Sequence, residues 1–302
     1  VIDNSSLCSS LTSLELDHAN MPHVAYFDSR GDDLKYAVKT ATGWQVEAID
    51  TENDAGMGCS LGLDQWEKPH ICYYDQIYSH DQTSLLKYAV KDTSGWNIDV
   101  IDTVNSFFEP IGLMIDTESS PHIAYTANNE DIKYAKKTEE VWNTETIESD
   151  VRVGYYSGLD TDRFNSPHIV YKDSTNSELK YAQKNNSGWT FETLPTACFS
   201  VRNPDIAVDS ADFPHIIYSD YVNETFLRYI YQTPAGWNNE LIDSCGLGFA
   251  STSFALDSKD VPHLAYFDDT CGCLKYAKRV STTNPDSKKA MPWLMLLWGD
   301  HE

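Results

Sequence analysis

The chain has 302 residues, of which 41% are hydrophobic and 12% aromatic, enough apolar material for a packed core. Its 46 acidic residues against 22 basic ones leave a formal charge of -24, a surface that repels nucleic acid and anionic lipid and so argues against both as partners. No stretch reaches the ~20 apolar residues of a membrane-spanning helix; the longest run is MPWLMLLW, residues 291–298.

Read from the N-terminus, the chain opens on Val1-Ile2-Asp3. It then repeats one phrase six times, with Pro-His pairs at Pro22-His23, Pro69-His70, Pro121-His122, Pro167-His168, Pro214-His215 and Pro262-His263. The prolines stand 47, 52, 46, 47 and 48 residues apart, a spacing at which each unit is one supersecondary block. In the second unit the order is CSLGLD (59–64), PHICYYD (69–75), LLKYAVK (85–91) and GWNIDVID (95–102). Each piece is short, rich in β-branched and aromatic residues, and bounded by Gly, Asn, Asp, Ser or Pro, which is the strand signature. Four short antiparallel strands per unit, repeated radially, predict an all-β, six-bladed β-propeller with four-stranded antiparallel blades over residues 1–280.

The chain ends bear on closure. The sixth unit has STSFALD, VPHLAYFD and CLKYAKR but no following GW...E.ID phrase, whereas Val1–Asp3 matches the strand ends AID (48–50), VID (100–102) and LID (241–243). The N-terminal segment is therefore expected to supply the outer strand of the last blade and to hide two edges. Residues 281–302 then form a C-terminal apolar tail, either a docking segment or an extension packed on the rim. Trp293, Leu294, Leu296, Leu297 and Trp298 would contact a partner subunit or a second copy. No charged-then-apolar leader precedes Val1, so a signal peptide either has been removed or never existed.

Residues present in every unit are read as framework. Six histidines at one position invite a metal or proton-relay reading, but copies occurring once per blade lie too far apart to converge on one ion, since ligands must come within about 2 Å of it. Each imidazole is expected to bond a backbone group at its turn. Asp17, Asp64, Asp116, Asp160, Asp209 and Asp257 after the first strand, and Asp28, Asp75, Asp173, Asp220 and Asp268 after the second, are expected to cap turns. Tyr36, Tyr88, Tyr134, Tyr181, Tyr229 and Tyr276 should pack between blades, with Trp44, Trp96, Trp142, Trp189 and Trp237 at the rim.

Function is then sought where the units differ. The loops joining strands two and three, and those joining blade to blade, vary most, the longest being DQIYSHDQTS (75–84). Their candidate ligand-binding residues are Tyr78, Phe107, Phe108, Arg152, Tyr155, Tyr156, Phe199, Arg202 and Phe249. Aromatics beside carboxylates and amides suit stacking on sugar rings or gripping a peptide; packing at a channel mouth is the plainer alternative. The acidic loops could hold calcium, but no motif indicates it, and no other cofactor is expected.

Of seven cysteines, Cys72 replaces Ala or Val inside a second strand and is read as a buried free thiol. Cys8, Cys59, Cys198, Cys245, Cys271 and Cys273 all map to the loop face as disulfide candidates. Pairs Cys8–Cys59 and Cys198–Cys245 would staple neighbouring loops and point to an oxidising, secreted or cell-surface location. Other pairings stay open, and a zinc site is the rival reading, without a CxxC pair to support it. Sequons at Asn4, Asn185 and Asn223 permit glycosylation.

The combination PHIAYxD, LKYA and GW..E.ID resembles repeats of secreted bacterial and archaeal β-propellers. It is loosely similar to sialidase-type and propeller-lectin folds. The resemblance implies architecture over most of the chain and leaves activity open. A sialidase-like glycoside hydrolase would need three arginines on a carboxylate, a Tyr/Glu nucleophile pair and an acid. Only Arg30, Arg152 and Arg202 fall in ligand-face loops, and no companion motif accompanies them. No nucleophile elbow, P-loop, HExxH or dinucleotide fingerprint appears. The leading expectation is an extracellular, non-catalytic binding module for a carbohydrate or protein ligand. The alternative is a structural subunit of a cell-surface assembly or filament, docking through its tail.

Overall fold

A computed structural model of the chain describes residues 2–4, 8–77, 83–105, 110–127, 131–149, 153–196, 201–221, 223–244, 252–280 and 293–297, without the side chains of 8–11, 153–156 and 296–297. The chain divides into two compact units, residues 1–155 and 156–302. The first unit carries three sheets: β1 (Cys8–Leu16), β2 (Pro22–Asp28), β3 (Asp33–Thr40) and β4 (Gly43–Asp50); β5 (Asp54–Leu63), β6 (Pro69–Gln76), β7 (Ser84–Asp92) and β8 (Gly95–Val104); β9 (Gly112–Ile115), β10 (Pro121–Ala127), β11 (Asp131–Thr138) and β12 (Val141–Glu148). The second carries three more: β13 (Val153–Thr161), β14 (Pro167–Asp173), β15 (Glu178–Asn185) and β16 (Gly188–Thr193); β17 (Val201–Val208), β18 (Pro214–Tyr221), β19 (Thr225–Thr233) and β20 (Gly236–Ser244); β21 (Thr252–Leu256), β22 (Pro262–Asp268), β23 (Cys273–Arg279) and β24 (Trp293–Leu297). Every sheet is an antiparallel meander in chain order, and the fold is the expected six-bladed β-propeller. Among the described residues no helix is long and apolar enough to cross a membrane.

Burial explains the strand composition. The second strand of each unit lies between its neighbours in the sheet and under side chains from both faces, so β6 and β10 are buried along almost their whole length. Such strands read as continuous apolar runs, as PHICYYD and PHIAYTA do. The fourth strands alternate exposed and half-buried residues, which is the pattern of a strand at the edge. Within the first unit, Cys59, Leu61, Ile71 and Tyr73 of the second sheet pack on Ala25, Leu34 and Tyr36 of the first. In the second unit β13 and β17 approach so closely that a Cβ on Gly158 would lie 3.1 Å from the Asp205 Cα and from the Ile206 nitrogen.

The sixth sheet corrects the expected closure. Its fourth strand is not the N-terminal segment but β24, from the C-terminal tail, with Arg279 opposite Trp293 and Lys275 opposite Leu297. That register copies the hairpins of the other sheets, where Lys39 faces Trp44 and Lys91 faces Trp96. Trp293 therefore fills the position of the repeated GW tryptophan. Its ring stands edge-on to Tyr229 at 5.2 Å, as Trp96 does to Tyr36 at 5.3 Å and Trp237 to Tyr181 at 5.4 Å. The sequence points to docking or rim packing for this tail because residues 280–292 separate its tryptophan from the partner strand, where the other units use a tight turn. Trp293 is 4% exposed and Leu294 49% exposed; Leu296 and Leu297 lie in β24 without described side chains, and Trp298 lies outside the described residues.

Ile2 and Asp3 belong to no strand. Asp3 Oδ2 nevertheless accepts a hydrogen bond from the Tyr26 hydroxyl at 2.9 Å and lies 3.4 Å from Lys35 Nζ. Those are the partners that outer-strand aspartates take elsewhere, so the match between VID and the strand ends reflected a shared contact rather than a shared strand.

Cysteine placement also departs from the expectation. Cys59 is a buried free thiol, so the Cys8–Cys59 staple is not formed; its side chain points into the apolar cluster between the first two sheets, where burial pushes its pKa up to about 12. Cys72 is the buried free thiol expected. Cys271 and Cys273 are joined to each other. Cys8 lies in β1 without a described side chain, and Cys198 and Cys245 lie outside the described residues.

Replacing Trp293 by Ala removes the buried ring that joins the fifth and sixth sheets, and chemical denaturation should show a loss of about 3–5 kcal/mol. Leu294→Ser, on the exposed side of the same strand, should change stability by no more than about 0.5 kcal/mol.

Candidate functional site

Each sheet has a turn end, where the first strand meets the second, and a loop end, where the second meets the third. At the turn end an aspartate caps the backbone: Asp64 Oδ1 accepts from the Trp66 and Lys68 nitrogens, both at 2.9 Å, and Asp17, Asp116, Asp209 and Asp257 do the same in their turns. In the fourth sheet the cap is Asp162, not Asp160 as expected. Asp160 lies in β13 and accepts from the Val208 and Thr161 nitrogens at 2.7 Å each.

Where a backbone partner is expected from the sequence, each repeated histidine meets a tyrosine hydroxyl of the third strand. His122 Nδ1 lies 2.7 Å from the Tyr134 hydroxyl and His168 Nδ1 2.6 Å from that of Tyr181; His23–Tyr36, His70–Tyr88, His215–Tyr229 and His263–Tyr276 pair alike. The other ring nitrogen faces the capping aspartate, at 2.9 Å in His122–Asp116 and 3.1 Å in His215–Asp209 and His263–Asp257. A neutral imidazole satisfies both neighbours there: Nε2–H donates to the carboxylate and Nδ1 accepts from the tyrosine. Burial lowers the pKa of His70, His168 and His215, in keeping with neutral rings. In the third, fifth and sixth sheets both ring nitrogens are thus engaged within the framework, and in the others Nδ1 is.

Carboxylates join neighbouring sheets at the loop end. Asp50 Oδ2, at the end of β4, accepts from the Tyr73 hydroxyl at 2.7 Å and from Lys87 Nζ at 2.9 Å, and Lys87 also lies 2.6 Å from Asp75. Asp102 takes Tyr125 and Lys133 at 2.8 Å each, and Asp243 takes Tyr266 at 2.7 Å and Lys275 at 2.9 Å. Burial opposes the charge on Lys87, but Asp50 and Asp75 outweigh it and hold the ammonium pKa above its ordinary value. Nearer the middle of the outer strands a second clamp recurs. Glu47 accepts from Lys91 at 2.6 Å and from the Trp96 indole at 3.0 Å, and Asp99 from Lys137 at 2.9 Å and Trp142 at 3.1 Å.

The loop end differs between sheets. Asp28, Asp173 and Asp268 cap their turns through Oδ1, onto the Arg30, Thr175 and Thr270 nitrogens. In the second and fifth sheets the following connection diverges, and Oδ1 of Asp75 and of Asp220 is buried without a hydrogen-bond partner among the described residues. Arg202 is half-buried in β17. Tyr155 and Tyr156 lie in β13 without described side chains, and Tyr78, Phe107, Phe108, Arg152, Phe199 and Phe249 lie outside the described residues. Among the described residues no group of three or more His, Cys, Asp or Glu side chains could hold a metal ion. The sequence reading passed over two exposed aromatics, Trp66 and Phe164, which stand at the turn end. Their signal was available: both are aromatics two residues after the capping aspartate, a position that is not aromatic in the other four units.

No protein-family model and no curated protein matches the chain. Solved structures do. The BP39L lectin of Burkholderia pseudomallei is 14% identical, with 90% of this chain and 81% of that one covered at a TM-score of 0.65. The six-bladed propeller lectin of Aleuria aurantia, described with its fucose recognition, is 12% identical over 95% and 94% of the chains, TM-score 0.58. The NanB sialidase of Streptococcus pneumoniae is 7% identical over 87% and 65%, TM-score 0.54. These likenesses agree with the propeller-lectin and sialidase-like resemblance at the level of fold.

Two outcomes follow for stability. Lys87→Ala would leave Asp50 and Asp75 buried without their cation and should cost about 3–5 kcal/mol in denaturant titrations. Asp205 is pushed up to about 6, by burial first and then by Asp160, from an ordinary 3.8. Below its unfolded value the acid is neutral in both states; between that value and the folded one only the unfolded chain ionises, so stability falls as pH rises through this window. Asp205→Asn removes that loss, and its melting temperature relative to the parent should be higher at pH 7.5 than at pH 4.

Proposed function

We propose that the chain is a non-catalytic carbohydrate-binding module that works outside the cell. The observation that carries this reading is the likeness of fold to propeller lectins across 90% and 95% of the chain. The framework supports it. The repeated imidazoles, lysines and most repeated carboxylates are bound to one another, which leaves recognition to side chains that do not repeat. The sequons at Asn4, Asn185 and Asn223 are all exposed, in keeping with a secreted chain.

A sialidase-like hydrolase is the weaker reading. Three of the chain's six arginines are already paired with carboxylates of their own unit: Arg163 with Asp212 at 2.9 Å, Arg228 with Asp220 at 3.5 Å and Arg279 with Glu240 at 2.7 Å. A structural subunit docking through the tail would have to do so without Trp293, which is buried in the sixth sheet.

A glycan array probed with the intact protein should show selective binding to a subset of neutral glycans. The bound glycans should be recovered uncut by mass spectrometry after prolonged incubation. Cleaved products would replace this reading with an enzymatic one, and an empty array would overturn it.

A further inference from the structure

We infer that the carbohydrate platform lies at the turn end of the first unit's sheets, on Trp66, and that it takes an uncharged pyranose. This rests on the carbohydrate-binding reading above and assigns it a place other than the divergent loops.

Trp66 is 70% exposed, although it sits in a turn whose backbone is fixed from within. Asp64 Oδ1 holds the Trp66 and Lys68 nitrogens, and the Glu67 nitrogen donates to the Asp64 carbonyl at 2.9 Å. The corresponding residues of the other turns are Ala19, Glu118, Phe164, Ala211 and Lys259, so the framework does not require an aromatic there. An exposed indole on a rigid turn offers a flat apolar face that loses little conformational freedom on binding.

Polar groups flank it on both sides. The adjoining turn of the first sheet places His18 Nδ1 2.9 Å from Glu67 Oε1, and the His18 nitrogen donates to the same oxygen at 3.0 Å. On the other side, Gln65 Nε2 lies 3.4 Å from Ser119 Oγ in the third sheet's turn. These bonds hold Glu67 and Gln65 in place and, among the described residues, leave Glu67 Oε2 and the Gln65 carbonyl as acceptors. An apolar face bordered by fixed acceptors matches a pyranose, whose C–H face stacks while its hydroxyls donate. The charge of -24 disfavours an anionic sugar. Phe164 shows what an unsuitable platform looks like: the Arg163 guanidinium lies over its ring at 5.0 Å, itself held by Asp212.

The test compares parent, Trp66→Ala, Trp66→Phe and Phe164→Ala on a neutral-glycan array, with melting temperature and far-UV circular dichroism as folding controls. The expected result is at least a tenfold loss for Trp66→Ala, a two- to threefold loss for Trp66→Phe, and no change for Phe164→Ala, all with parental folding signatures. If the parent binds and folded Trp66→Ala binds equally well, the platform is elsewhere and the inference falls while the carbohydrate reading stands. If the parent binds nothing, the reading itself fails, and the inference with it.

Discussion

A buried carboxylate at the end of an outer strand has to find compensation, and in this chain it finds it on the neighbouring sheet. Asp50 reaches the Tyr73 hydroxyl and the Lys87 ammonium, and Lys87 in turn holds Asp75 of its own sheet. Removing two carboxylates and an ammonium from water costs several kcal/mol per ion, and only close, correctly oriented partners offset it. Such a cluster adds little net stability over an apolar one of equal shape. Its effect is on register, because a sheet displaced by one residue would strand an ion. The same group recurs around Asp243, where Lys275 also holds Asp268; Asp102 takes a tyrosine and a lysine, and Asp3 makes a looser version against the first sheet. For a chain with about twice as many acids as bases, placing the lysines where one cation answers two carboxylates is an efficient use of them.

Much of this was legible in the sequence because it repeats. Strand order, the number of sheets and the positions of the framework Asp, His, Tyr, Lys and Trp all follow from aligning six copies of one phrase. What was not legible were partners, since spacing along a strand does not say which neighbouring strand a side chain meets. Its place at a turn suits the histidine to a backbone group, yet it meets a tyrosine more than ten residues on, because antiparallel pairing of the second and third strands brings the two together. LDTD offers two aspartates for the turn cap, and only the fixed distance to the following proline selects Asp162 over the expected Asp160. The sixth outer strand was missed because its hairpin is long and its tryptophan follows proline rather than glycine. Chain position suits Cys59 to a disulfide with Cys8; its thiol faces apolar neighbours instead.

The same reasoning separates scaffold from candidate site. A side chain that recurs in every unit and is bound by another recurring side chain has no spare capacity for a ligand. What remains are departures: the Oδ1 atoms of Asp75 and Asp220, orphaned among the described residues where loops diverge, and an indole exposed at a turn position that is aromatic in only one other unit, as Phe164. The first is too deeply buried to meet a sugar. The second lies open to solvent and is flanked by ordered acceptors, so the short, repeated turns deserve the scrutiny usually given to long variable loops.

The central claim, that side chains crossing between sheets hold the blades in register, is tested most directly by a double-mutant cycle on Asp102 and Tyr125, using Asp102→Asn, Tyr125→Phe and the pair in denaturant titrations. The account predicts a coupling energy of about 1–2 kcal/mol between the two positions. Additivity within about 0.3 kcal/mol would contradict it, because the two groups would then contribute to stability independently of each other.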